Sequence, residues 1–168
     1  ALISSPLRSR FSGGVHRLEF YTDNEMKEIV KRASLLLGTE ADDAAVEEIA
    51  KRARFTPRTS NYSLKRARDY AQINKEKLTK ENVRKALELL GVDDIGLFET
   101  DRNLLRTIIE KFGGGPVGLN TLAAATSEEE ATIEEVIEPY LLRLGLLERT
   151  PRGRTATEKA YVHLGITK

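Results

Sequence analysis

Apolar residues recur at helical spacing through most of this chain and alternate only in short stretches. Met26, Ile29, Val30, Ala33 and Leu37 mark one face of a first helix. Thr22, three residues ahead of Glu25, has the spacing of a capping box, in which two side chains satisfy free backbone donors at a helix start. The helix ends near Gly38. Val46, Ile49, Ala50 and Ala53 predict a second helix beginning at Asp42 or Asp43. Thr56-Pro57, a cap followed by proline at the first helical position, opens a third that runs towards Ile73. Thr79 caps a fourth, with Val83, Ala86, Leu87 and Leu90 inward and Gly91 suited to the residue after its end. Residues 22–92 therefore read as a compact four-helix unit.

Val92-Asp93-Asp94-Ile95-Gly96 is a short acidic connection to a second unit over residues 97–168. That unit opens with a helix from Glu99 to Phe112, carrying the stripe Leu104, Leu105, Ile108, Ile109 and Phe112 and stopped by Gly113-Gly114-Gly115-Pro116. A short helix over Leu119 to Ala125 leads to a longer one from about Ser127, with Ile133, Val136, Ile137, Tyr140 and Leu141 inward. Pro139 predicts a kink or an end within it, because proline lacks the backbone donor a helix interior needs. Leu144 to Arg149 and Arg154 to Thr157 flank Thr150-Pro151-Arg152-Gly153, which supplies turn chemistry for a hairpin, and a closing helix passes through Ala160 and Leu164. Three helices, a hairpin and a closing helix describe a winged helix. One further strand is expected over Val15 to Tyr21, where apolar and polar residues alternate, although no partner strand is evident.

The 168 residues have room for two small domains, and a charged share of 32% beside a hydrophobic share of 40% suits a globular chain. No apolar run approaches the roughly 20 residues of a membrane helix, so a membrane span is excluded. With no cysteine, and only His16 and His163 as imidazole donors, no metal site is expected. The opening segment is too short and too quickly followed by Arg8 and Arg10 for a secretory signal, and a reducing, cytoplasmic setting fits best. The chain opens on Ala1 rather than Met, which raises the expectation of missing upstream sequence. Its net charge of +1 gives little global attraction to nucleic acid, so clusters of cations decide the matter.

The densest cluster is Arg149, Arg152 and Arg154 on the hairpin, where guanidinium groups can pair with phosphates without reading sequence. The same residues suit a plain solvated turn, and winged helices also serve as protein-interaction modules. Glu128, Glu129, Glu130, Glu134 and Glu135 would repel a duplex from the presumed recognition helix, so base-specific reading is not expected. Arg8 and Arg10 form a second pair beside Pro6. Arg58 puts a cation in the first turn of a helix, where the macrodipole disfavours positive charge and an anionic ligand would offset the cost. The chain contains no phosphate-binding Gly-x-x-x-x-Gly-Lys-Ser/Thr loop.

Taken together, Ser4-Ser5-Pro6-Leu7-Arg8-Ser9-Arg10-Phe11, Leu18-Glu19-Phe20-Tyr21-Thr22, Thr56-Pro57-Arg58, Gly113-Gly114-Gly115-Pro116-Val117-Gly118-Leu119, Glu138-Pro139-Tyr140-Leu141 and Arg149-Thr150-Pro151-Arg152-Gly153-Arg154 resemble the RuvB family, in the family's order and over almost the whole chain. The resemblance implies a mostly α fold: a remnant of the AAA+ ATPase core over residues 1–21, a four-helix AAA+ lid, and a winged helix with a β-hairpin wing. It implies a homohexameric, ATP-driven motor that moves Holliday junctions in DNA recombination and repair with RuvA as partner. ATP and Mg would be held mostly by upstream sequence, leaving this chain alone inactive and without tightly bound nucleotide. Arg10 then matches the arginine finger that reaches a neighbouring subunit's ATP, with Arg8 beside it at the subunit interface. Arg58 matches the sensor-2 arginine on the nucleotide phosphates, and Arg149, Arg152 and Arg154 match the DNA-contacting wing. Phe55 departs from the family's usual glycine, and Asn61-Tyr62-Ser63 is less basic than its counterpart. Two other readings stay open: a stand-alone winged-helix DNA-binding protein and a protein-interaction adaptor.

Overall fold

The computed structural model describes Arg10, His16 and residues 18–167. Four helices form the first module: α1 (Asp23–Leu36), α2 (Asp43–Lys51), α3 (Pro57–Asn74) and α4 (Lys80–Leu89). Each starts on the side chain the sequence offers for it. Thr22 and Glu25 close the reciprocal box, with Thr22 N donating to Glu25 Oε2 at 2.8 Å, while Asp42, Thr56 and Thr79 accept from the backbone of α2, α3 and α4. Met26, Val30, Ile49, Leu64, Val83 and Leu87 fill the core between them.

The second module begins with α5 (Glu99–Arg106), which runs into a π-helical turn, Thr107–Lys111. After α6 (Leu119–Thr126) comes α7, built from Glu130–Thr132, a second π-helical turn Ile133–Ile137, and Glu138–Leu144. Strands β1 (Leu147–Thr150) and β2 (Gly153–Ala156) pair antiparallel, Arg149 opposite Arg154, and α8 (Glu158–Leu164) closes the module. Val117 adds a third rung, exchanging backbone hydrogen bonds with Arg154 at 2.9 and 2.8 Å. Leu104, Leu105, Ile108, Leu122, Ile133, Leu141 and Leu146 make the core.

Three expectations change. Among the described residues no strand forms at His16 or over 18–21, and with no chain beside it the alternating pattern has no ladder to join. Pro139 neither ends nor breaks α7: the widened turn before it resets the register, so proline sits at the start of a fresh helical segment where its missing donor does no harm. Ser127 ends α6 in a left-handed conformation (φ 59°) instead of opening α7, which starts three residues later. Arg8 lies outside the described residues.

Candidate nucleotide- and nucleic-acid-facing surfaces

The wing sorts its three arginines by burial. Arg152 is exposed at the turn, and none of the described residues pairs with its side chain. Arg149 is half exposed and meets Glu134 at 2.9 Å and Glu138 at 3.8 Å, both reaching from α7. Arg154 is only 7% exposed and holds Glu138 through two donors at 2.9 and 3.2 Å. Of the three arginines expected to project from the hairpin, Arg154 instead lies inward beside α7, where its charge is matched by the buried Glu138 carboxylate. Gly153 makes the approach possible, because at φ 137° a Cβ there would strike the backbone of Val117. The glutamates of α7 that argued against major-groove reading, Glu130, Glu134 and Glu135, are exposed, so the helix keeps an acidic outer face.

Arg58 stands exposed in the first turn of α3, just past the Thr56 cap and Pro57. Beside it Leu18, Glu19, Phe20, Tyr21, Phe55, Thr56 and Pro57 line a mainly apolar slot of about 300 Å³. An exposed cation in the first turn of a helix is an arrangement suited to an anionic group such as phosphate. Arg10 is exposed in a turn and stands with Arg58 in no described contact. Among the described residues there is no group of His, Asp and Glu that could hold a metal ion, and no helix long and apolar enough to cross a membrane.

The sequence reading missed a third constellation at the joint of the modules. Arg54 points at Asp101 of α5 (3.1 Å), and Tyr140 of α7 donates its hydroxyl to Ile95 O at 2.6 Å. Burial pushes the Tyr140 phenol up to about 12. The chain has five tyrosines and no tryptophan, so phenolate absorbance reports tyrosine alone. One phenol should titrate near pH 12 and vanish from the titration in Tyr140→Phe. Because the folded value is the higher one, stability should fall as pH rises from about 10, the ordinary value, towards 12.

The fold and these surfaces define a two-module chain, a helical AAA+-type lid joined to a winged helix with a basic wing. The comparisons agree. The RuvB AAA lid domain matches residues 21–93 and the RuvB C-terminal winged helix domain matches residues 94–165. The chain belongs to the RuvB family. It is 56% identical to the Holliday junction branch migration complex subunit RuvB of Chloroflexus aggregans over 99% of its own length and 47% of that protein's. The corresponding protein of Dehalococcoides mccartyi is 54% identical, with 48% of its length covered. The solved structure of the Thermotoga maritima RuvB Holliday junction branch migration motor superposes with a TM-score of 0.94 at 53% identity, over 99% of this chain and 56% of that one. The chain thus spans about half the length of the relatives it matches.

Proposed function

We propose that this chain is the lid and DNA-gripping end of an ATP-driven motor that moves Holliday junctions in recombination and repair. The observation that carries the reading is the pairing of two surfaces on one chain: an exposed Arg58 beside an apolar slot on the lid, and an exposed Arg152 on the wing. Arg58 contacts a phosphate of bound ATP while the slot takes the base, and the Mg ion and remaining phosphate contacts come from sequence outside this chain. Arg10 completes a neighbouring subunit's site as an arginine finger, with Arg8 at that interface, in a homohexamer that works with RuvA.

On the wing, Arg152 meets the DNA backbone first and Arg149 exchanges Glu134 for a phosphate. Arg154 lies beneath them and holds β2 to Glu138. The setting is cytoplasmic, and the chain alone is without ATPase activity.

In the full-length protein, Arg58→Ala should lower ATP hydrolysis by about two orders of magnitude, in line with the loss of one preorganised contact to a reacting phosphate, about 3 kcal/mol. Duplex binding without nucleotide should stay as it was. Hydrolysis that survives the change would remove the lid from the reaction.

A further inference from the structure

Between the modules, each core borrows an aromatic residue from the other. Phe55, from the lid, packs on the winged-helix core, and Phe98, from the start of α5, packs on the lid core. Arg54 and Phe55 both sit at left-handed φ, 52° and 56°, a conformation that non-glycine residues hold only where neighbours enforce it. The neighbours are clear. The Arg54 guanidinium donates to Asp101 Oδ2 and to Val136 O, each at 3.1 Å, and lies between the rings of Phe98 (5.3 Å) and Tyr140 (4.4 Å). The Phe55 ring sits 6.2 Å from that of Tyr140 and under Arg143 (4.2 Å), whose guanidinium also covers Phe20 at 4.8 Å.

Val136, Tyr140 and Arg143 all belong to α7, and so do Glu134 and Glu138, which hold Arg149 and Arg154 of the wing. Arg58 follows Phe55 by three residues. One helix therefore carries both the joint and the wing's acidic anchors.

We propose that Arg54 is a positioning residue that locks α7 to the start of α3, so that lid and winged helix turn as one lever and movement at Arg58 is delivered to the wing. Modules linked by a short connection ordinarily move relative to one another unless an interface holds them. Here the holding element is a planar guanidinium that makes an ion pair, a carbonyl hydrogen bond and two ring stacks at once, a combination lysine cannot reproduce.

The inference rests on the motor reading above, and its test separates the two. In the full-length protein, Arg54→Met and Arg54→Lys are assayed for DNA-stimulated ATP hydrolysis and for base pairs migrated per ATP. Spin labels on Glu88→Cys and Glu158→Cys, one exposed position in each module, report the distance between modules once any cysteine outside these 168 residues, which contain none, is replaced. Arg54→Met should hydrolyse ATP within about twofold of the unaltered rate yet migrate at least about fivefold fewer base pairs per ATP, the range expected when coupling alone is lost. The label distance should broaden, and Arg54→Lys should fall between the two.

An unchanged yield per ATP, or a distance that stays narrow in both variants, overturns the proposal. If the unaltered protein moves no junction, it is the motor reading that fails, and the label distances alone then decide the joint.

Discussion

Replacing Asp101 with alanine is expected to destabilise the protein by about 3–5 kcal/mol, the usual cost of removing one partner from a buried ion pair. The carboxylate is fully buried, faces Arg54 at 3.1 Å and accepts the Phe98 N–H at 2.7 Å. Without it a guanidinium remains enclosed between two rings, and α5 loses the acceptor that satisfies its first donor. Burial pushes the Asp101 carboxyl above its ordinary range, against the opposing pull of Arg54, so the pair as a whole gains little over an apolar contact. The expense lies in breaking half of it. Asp101→Asn, which keeps the acceptor for Phe98, should lose less than Asp101→Ala, and Arg54→Met with Asp101→Leu should recover most of the loss. Urea unfolding midpoints check all three. A single alanine variant within about 1 kcal/mol of the parent would mean that the joint tolerates an unpaired charge, contrary to the cost expected of one.

Gly153→Val is the second large effect. A valine there must adopt φ 137°, a backbone conformation whose strain alone amounts to about 1–3 kcal/mol. Its Cβ must also enter the space of the Val117 carbonyl and nitrogen. Because the obstacle is backbone, no side-chain rotation relieves it, and the two hydrogen bonds between Val117 and Arg154 are expected to break. Arg154 would leave Glu138, and the hairpin would lose its fixed angle to α7. Gly165→Ala is the control: φ is 67° there, but a Cβ meets nothing within 4 Å, so only the conformational part should appear. Denaturation of both variants separates strain from collision, and equal losses would mean that the wing yields freely at Val117.

Much of this architecture could be read directly from the chain, and the reasons differ by element. Thr22, Asp42, Thr56 and Thr79 announced the helix starts because capping chemistry is local, needing only a side-chain oxygen within three residues of a free donor. The hairpin was legible for the same reason, with proline and glycine specifying the turn. The π-helical turns were not, since an extra residue per turn arises from how a helix packs and not from its own periodicity.

The wing arginines were found as a group, but which of them face solvent depended on Glu138, sixteen positions before Arg154. Arg54 escaped notice altogether. Its partners Asp101 and Val136 lie 47 and 82 positions away, and no spacing rule reaches that far. Phe55 was visible only as a departure from glycine, and its positive φ explains why glycine suits the position.

The most direct measurement of the account is fluorescence anisotropy of a labelled random-sequence duplex titrated with this chain over a salt series, repeated with Arg149→Ala/Arg152→Ala. The account predicts binding without sequence preference that weakens as salt rises. In the double variant the slope of log affinity against log salt should shrink by about 2, close to 0.9 for each phosphate contact removed. Binding whose salt slope is the same in both proteins would place the DNA elsewhere and contradict the reading of the wing.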